Sequence, residues 1–224
     1  MLPRLRLFQM ISPSLPIGGF TYSQGMEWAV ECGWLNTKDE THAWINAALN
    51  DNLLYLELPI IKRLHEAIVN ESPEQFEYWS QYLLANRETS ELRMEERQRA
   101  QAFYELLRKL SEWEENELAH YREGLLKSQS AGFTLAATKW QVPLDELLAG
   151  FTWSWLENSV NAAIKLVPLG QSAGQSLLYQ LSENIPAVIT SALIVKDDEL
   201  GASTAALAIA SSLHETQYCR LFRS

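Results

Sequence analysis

Apolar residues recur every three or four positions along most of this 224-residue chain. Residues at this spacing share one face of a helix, so the pattern predicts amphipathic helices rather than strands. Two short apolar runs, 188–190 and 193–195, could be extended, but no other segment supplies partner strands. We therefore expect an all-α bundle forming a single domain over 1–224. The predicted helices cover about 4–11, 20–32, 37–57, 59–70, 128–140, 144–167, 170–195 with a break before Pro186, and 203–213.

Three polar sequences mark helix starts. A Ser or Thr followed three residues later by Glu or Gln is a capping-box pattern, in which each side chain bonds a free backbone N–H of the first turn. The pattern occurs at Thr37–Glu40, at Ser72–Gln75 with Pro73 in the favoured first position, and at Ser111–Glu114. These signals place helix starts at about 38, 73 and 112.

The net charge of the chain limits the kinds of macromolecule that it can bind. Eighteen Lys and Arg face 28 Asp and Glu, a net charge of −10, which disfavours nucleic acid or an anionic membrane as the principal partner and favours a protein. Two cysteines, no basic and apolar leader and no apolar run of membrane-spanning length predict a cytoplasmic protein with reduced thiols.

Residues 12–34 are dense in Pro, Gly and aromatic side chains but contain no nucleophile, metal cluster or phosphate cradle. Proline removes backbone donors and the paired glycines permit a sharp turn, so the sequence predicts a rigid loop before the second helix. The residues we expect to fix this loop are Pro16, Gly18, Gly19, Tyr22, Gln24, Gly25 and Glu27.

Residues 87–99 hold four Arg and four Glu. One interpretation is a solvated helix with ion pairs Arg87–Glu91 and Glu95–Arg99. A second is a polar face that meets a partner, and an arginine finger offered to a GTPase is a third. The candidate partner-binding residues of this segment are Arg87, Glu88, Glu91 and Arg93.

The helix predicted over 144–167 has two distinct faces. Its apolar face carries Leu156, Val160, Ala163, Ile164 and Val167. A polar ridge on another face carries Ser154, Asn158, Asn161 and Lys165. Lys165 lies in the last turn before Pro168, where a cation stabilises the negative end of the helix dipole. A functional contact is the alternative explanation for Lys165.

A hydrolase is the rival function. Gly170–Gly174 fits the G-x-S-x-G pattern around Ser172, and Asp197 or Asp198 followed by His214 supplies an acid and a base in the order typical of α/β-hydrolases. That motif needs a preceding strand in a parallel sheet, which the helical periodicity contradicts. His65 and His214 each lack the second histidine of an H-E-x-x-H site, and no nucleotide-binding motif occurs, so we expect no cofactor and no permanent metal site in this chain. A transient metal site shared between subunits stays open.

The segment 214–224 combines aromatic, leucine and arginine side chains, the composition of an interface anchor. It could instead fold back onto its own bundle. The candidate partner-binding residues here are His214, Glu215, Tyr218, Arg220, Leu221, Phe222 and Arg223.

Four segments resemble the UreF family of urease accessory proteins: PIGGFTYSQGME after residue 15, LLANRETSELRMEERQ from Leu83, NAAIKLVPLGQ with Gln175, and the sequence from His214 onwards. Ala100 and Cys219 depart from the family pattern. The resemblance adds Gln171 and Gln175 to the partner-binding candidates. It implies an all-helical homodimer with no enzymatic activity, bridging UreD (UreH) and the GTPase UreG and coupling its nucleotide state to nickel delivery into apo-urease.

Overall fold

A computed structural model describes residues 1–110, 113–201 and 204–224, and every regular element in these ranges is a helix. This confirms the all-α prediction. The helices are α1 (Leu2–Ile11), α2 (Met26–Glu31), α3 (Lys38–Ala48), α4 (Leu58–Val69), α5 (Pro73–Ala85), α6 (Ser90–Lys109), α7 (Glu115–His120), α8 (Arg122–Leu125), α9 (Gln129–Lys139), α10 (Leu144–Leu166), α11 (Gln171–Ser182), α12 (Ile185–Ala192) and α13 (Ala205–His214). None of these helices is long and apolar enough to cross a bilayer.

The core lies where α4, α9 and α10 pack together. All residues of α9 from Gln129 to Ala137 are buried, and Phe133 packs edge-to-face on Phe151 of α10 with ring centroids 5.5 Å apart. Gly132 lets α6 approach closely, because a Cβ there would lie 2.8 Å from the Phe103 ring. The apolar face predicted for α10 is confirmed, since its residues contribute to this core.

The helix starts follow their caps. Thr37 and Glu40 form the predicted reciprocal capping box, and the Ser72 hydroxyl accepts from the backbone of Gln75. The proposed cap at Ser111 lies outside the described residues. Thr89 is a further cap that the capping-box pattern did not predict: its hydroxyl accepts from the backbone nitrogen of Leu92 and starts α6 inside the charged segment.

The predicted helix over 20–32 is wrong in its first half. A short 3₁₀ turn spans Gly19–Thr21, and α2 begins only at Met26. Gly25 has φ +83°, and a Cβ on it would lie 2.6 Å from the backbone nitrogen of Ser211 in α13. The close approach of α13 therefore needs a left-handed glycine here, which local helical periodicity cannot reveal.

The helix predicted to run towards Glu57 continues as a π-helix, Leu49–Glu57, directly into α4. Pro59 has no N–H to donate to the carbonyl oxygen of Tyr55, four residues earlier. That oxygen instead accepts from the backbone N–H of Gly201 at 3.1 Å. The irregular segment thus ties the centre of the bundle to the chain entering α13. The predicted break before Pro186 also occurs, between α11 and α12.

Candidate partner-binding site

Three segments that are far apart in sequence meet at the N-terminal half of α6. The backbone nitrogens of Ser23 and Gln24 donate to the backbone oxygen of Ser224 at 2.7 and 3.0 Å, and the Ser23 hydroxyl donates to it at 2.6 Å. The Ser224 hydroxyl donates to Glu95 of α6 at 3.0 Å. The loop, α6 and the C-terminal segment (residues 215–224) therefore form one hydrogen-bonded unit.

Glu27 is the main acceptor for the C-terminal segment. Its two carboxylate oxygens accept from the backbone nitrogens of Leu221 and Phe222 at 2.6 and 2.8 Å. Because Glu27 is buried, these charge-assisted bonds are stronger than exposed ones. Glu27, predicted to belong to the loop, instead lies in the first turn of α2, and it fixes the path of residues 221–222.

His214 is fully buried at the end of α13, between two carboxylates. Its Nδ1 lies 2.6 Å from Glu91 and its Nε2 lies 3.2 Å from Glu27. The second Glu91 oxygen accepts from Arg220 at 2.6 Å, so Glu91 connects α6 to the segment that follows the helix.

These contacts contradict the hydrolase alternative. Both nitrogens of His214 face Glu27 and Glu91, and Asp197 accepts from Arg63 at 2.8 Å. Ser172 lies on the exposed face of α11, not at a strand-to-helix turn. His214 also belongs to a helix, so the free C-terminal segment begins at Glu215 rather than at His214.

Glu215 caps α6 from outside. Its Oε1 accepts from the backbone nitrogen and the hydroxyl of Ser90 at 2.8 and 2.7 Å. The hydrogen bond from the Ser90 side chain, together with those from the backbone of Ser90 and Glu91, lowers the pKa of Glu215. A carboxylate at a helix N-terminus also stabilises the positive end of the dipole.

The charged helix is not the solvated helix of the first interpretation. Arg87 precedes α6 and its side chain is only 11% exposed; it donates to Glu57 at 2.9 Å and to Glu96 at 2.7 Å, instead of to Glu91. The predicted pair Glu95–Arg99 is confirmed at 2.9 Å, but Glu95 is buried as well. One side of the segment therefore faces the interior of the protein. The sequence did not reveal this, because the inward-facing side chains are charged and form no apolar stripe.

The two carboxylates around Arg87 have opposite electrostatic behaviour. Burial raises the pKa of Glu57, whose one hydrogen-bond donor among the described residues is Arg87. Burial also opposes ionisation of Glu96, but Arg87, Arg99 and the hydrogen bond from Ser128 outweigh it and lower the pKa of Glu96. The Gln129 backbone nitrogen also donates to Glu96, at 2.9 Å. The pair Glu57–Glu96 in turn raises the pKa of Arg87 against the effect of burial. Sequence reasoning missed Glu57, which lies outside every recognised motif, and did not single out Glu96 among the acids of the charged segment.

The remaining two candidates of the charged segment have different surroundings. Arg93 donates to the backbone oxygens of Arg87 and Glu88 at 2.7 and 3.1 Å, so it stabilises the turn before α6. The Glu88 side chain is exposed and available to a partner.

Gln24 joins this interior to α10. It donates to Glu95 and accepts from the Trp155 indole nitrogen, both at 3.2 Å. Beside it lies a polar cavity of about 20 Å³, where Arg99 Nε is buried and no described residue forms a hydrogen bond with it. That volume suffices for about one water molecule. No group of three His, Cys, Asp or Glu residues in the described ranges is arranged to hold a metal ion.

On the outer side, the C-terminal segment and α6 enclose an open groove of about 720 Å³. Phe222 is only 6% exposed and packs inward, as the fold-back alternative predicts. Tyr218, at 99%, and Leu221, at 67%, project outward, and Met94 lies exposed on the groove wall. The groove floor includes Tyr22 and Arg223, whose side chains both donate to Gln98.

The polar ridge of α10 packs against the loop. A Cβ on Gly19 would lie 3.3 Å from the amide nitrogen of Asn158, so the loop lies close to the ridge. The exposed Lys165 ammonium lies over the rings of Phe20 and Phe222, 5.9 and 5.5 Å from their centroids. Gly18 has φ +72°, as expected for the turn. Pro16 is exposed before it.

Gln171 and Gln175 lie one turn apart on the exposed face of α11. Among the described residues, no hydrogen bond links their side chains to the C-terminal segment. The structure therefore separates these two candidates from the loop, α6 and C-terminal unit.

Residues 35–182 match the family model described as UreF. The chain is 52% identical over 222 residues to the urease accessory protein UreF of Alcanivorax borkumensis, covering 98% of this chain and 97% of that protein. It is 50% identical over 220 residues to UreF of Pseudomonas entomophila, covering 98% and 97%. UreF of Citrobacter koseri is 44% identical over 221 residues, covering 99% and 97%.

Proposed function

The chain belongs to the UreF family of urease accessory proteins, and we propose that it acts in urease maturation as a scaffold bridging UreD (UreH) and the GTPase UreG. In this role it couples the nucleotide state of UreG to nickel delivery into apo-urease. Nickel is cargo in this process and the protein performs no covalent chemistry. We further propose that residues 1–224 form one helical domain and act as a cytoplasmic homodimer.

The observation that carries this proposal is the single hydrogen-bonded unit of loop, α6 and C-terminal segment. Glu27 and Glu91 both contact His214 and both contact the C-terminal segment, through the Leu221 backbone and Arg220 respectively. A partner that displaces this segment therefore perturbs the start of α6. Coupling between two binding sites needs such a shared element, whose state each partner can bias.

We assign the outward anchors Tyr218 and Leu221 to UreD. Large apolar side chains on a fixed backbone cost little ordering entropy on binding, and such anchors commonly dominate interface energy. The exposed Glu88 side chain belongs to the same proposed surface. We assign Lys165, Gln171 and Gln175, on α10 and α11, to the coupling with UreG.

The UreD assignment is tested with the double variant Tyr218→Ala/Leu221→Ala. Both side chains are exposed, so the free energy of unfolding should change by no more than about 0.5 kcal/mol. Binding to purified UreD should weaken by on the order of 30-fold or more, as for other interface hot spots. Val69→Ala, on the exposed end of α4, is the matched control. Unchanged UreD affinity in a folded double variant would refute the assignment.

The coupling assignment is tested at Lys165. Lys165→Ala removes exposed cation–π contacts and should cost no more than about 1 kcal/mol of stability. Urease matured with this variant should contain less nickel or more of a competing metal, measured by elemental analysis of the purified urease. If both the yield and the metal content of urease match wild type, Lys165 only stabilises the loop.

A further inference from the structure

Helix α1 is apolar on two sides, but the bundle covers only one of them. Leu7 and Met10 are buried against the core, whereas Leu2, Leu5 and Phe8 are 61%, 54% and 60% exposed. A helix that is hydrophobic all round is normally buried all round. Exposed apolar residues are common singly, but three along one short helix form a patch that marks an interaction surface.

The uncovered side is held in place before any partner arrives. Helix α1 packs on α10 at Gly150, where a Cβ would lie 2.7 Å from Leu7 and 3.2 Å from Ile11. This close contact fixes the position and rotation of α1. The chain ordering that a free amphipathic helix must undergo on binding is therefore already complete, which favours affinity.

The local charge indicates what covers this face. Residues 1–26 contain Arg4 and Arg6 but no Asp or Glu, in a chain whose net charge is −10. Arg4 bonds Glu146 at 2.9 Å, and the arginine side chain, 71% exposed, is the more accessible member of the pair, since the Glu146 side chain is only 26% exposed. The complementary surface is an apolar groove bordered by acidic side chains.

Two other occupants fit less well. A second copy joined through α1 would bring four arginines together with no acid from either helix. Joining α1 to an acidic face of another copy would give a head-to-tail contact that can extend into open polymers. An anionic membrane is disfavoured by the net charge of the whole chain, and only one side of this ten-residue helix is free to enter it.

We infer that α1 is a preformed ligand helix, which inserts Leu2, Leu5 and Phe8 into an acid-rimmed apolar groove on a second protein of the maturation assembly. This is a docking surface separate in sequence from the C-terminal segment. It rests on the proposed function, because that assembly supplies the partner. Apolar anchors spaced three or four residues apart are the usual way a helix binds in a groove.

The test measures the affinities of wild type and of the double variant Leu5→Gln/Phe8→Gln for purified UreD and for purified UreG, in separate titrations. Glutamine keeps helix propensity, so the far-UV signal and melting temperature should not change. Affinity for one of the two proteins should fall on the order of tenfold or more. Wild-type affinity for that protein should also fall with added salt, as expected for an acidic rim. Val69→Gln/Ile194→Gln, equally exposed apolar sites elsewhere, is the matched control and should bind normally.

Two further measurements separate the alternatives. Sedimentation of both proteins reports self-association, and flotation with vesicles containing phosphatidylserine reports membrane binding. A double variant that binds UreD and UreG normally overturns the inference, as does one that loses only self-association or only vesicle binding. If wild-type protein binds neither UreD nor UreG, the proposed function fails and this inference fails with it. Normal wild-type binding with an unaffected variant refutes this inference alone.

Discussion

At the scale of single residues, the group around Arg87 shows how two identical side chains acquire different roles. Within the described part of the chain, Glu57 accepts from Arg87 alone, whereas Glu96 accepts from Arg87, Ser128 and the Gln129 backbone. Glu96, with a lowered pKa, stabilises the fold at pH values above 4.5, and this contribution is lost as the pH falls through its folded pKa. Glu57, with a raised pKa, behaves in the opposite way: its contribution is present at low pH and lost as the pH rises.

The prediction at this scale is a contrast between two isosteric variants. Glu57→Gln leaves Arg87 paired with Glu96 and removes a buried charge, so stability at pH 7 should stay within about 1 kcal/mol of wild type or rise. Glu96→Gln breaks the better-bonded carboxylate and should cost about 3 kcal/mol. Urea denaturation at pH 7 measures both. Equal losses in the two variants would show that the two carboxylates do not differ as their hydrogen bonds indicate.

At the scale of elements, the left-handed glycines separate conformational strain from close packing. Gly25 and Gly33 have nearly equal φ values, +83° and +81°, at the two ends of α2. A Cβ on Gly25 would strike the backbone of Ser211, whereas a Cβ on Gly33 would meet nothing within 4 Å. Substitution by alanine should therefore introduce backbone strain at both positions, but a steric clash only at Gly25.

Gly33→Ala should cost about 1 kcal/mol, the price of a non-glycine residue in this conformation. Gly25→Ala should cost at least about 2 kcal/mol more, because α13 must move away from the backbone clash. Since α13 carries His214, proteolysis of the C-terminal segment should also accelerate in Gly25→Ala alone. Thermal denaturation and limited trypsin digestion measure these two effects. Equal stability and equal digestion rates of the two variants would mean that α13 can move away from residue 25 without loss of stability.

At the scale of the whole molecule, the C-terminal segment is both part of the bundle and part of its proposed interface. Phe222 and Ser224 are buried, and Glu27 depends on residues 221–222 for its hydrogen bonds. Removing residues 215–224 would therefore take two backbone donors from the buried Glu27 carboxylate and leave it with His214. Truncation would confuse loss of binding with loss of stability, so single substitutions are the sharper experiment.

Two neighbours in this segment should separate the two roles. Phe222→Ala should destabilise the protein by about 3 kcal/mol, because it removes a buried ring and leaves a cavity. Leu221→Ala should change stability by less than about 0.5 kcal/mol, since that side chain is mostly exposed. Chemical denaturation of both variants provides the measurement. A large loss in Leu221→Ala would mean that its side chain packs on this protein rather than on a partner.

The sequence by itself determined the helical class, most helix limits and the segments that matter. Helical periodicity and capping are local, because a side chain three or four residues away acts on the same turn, so Thr37 and Ser72 could be read directly. The apolar face of α10 was equally clear, since burial selects residue types at a fixed period. The four segments that resemble the UreF family were also found in sequence alone, and the matches to UreF proteins confirm that resemblance.

Only the tertiary structure decided which charges pair and which are buried. Arg87 pairs with Glu57, thirty residues earlier, and His214 lies between Glu27 and Glu91. The partner of a charge depends on how whole helices pack, and many pairings at helical spacing are equally compatible with one sequence. Gly25 interrupts a regular apolar pattern for the same reason. Its left-handed conformation is set by the contact with α13, almost two hundred residues away in sequence, and not by its neighbours in the chain.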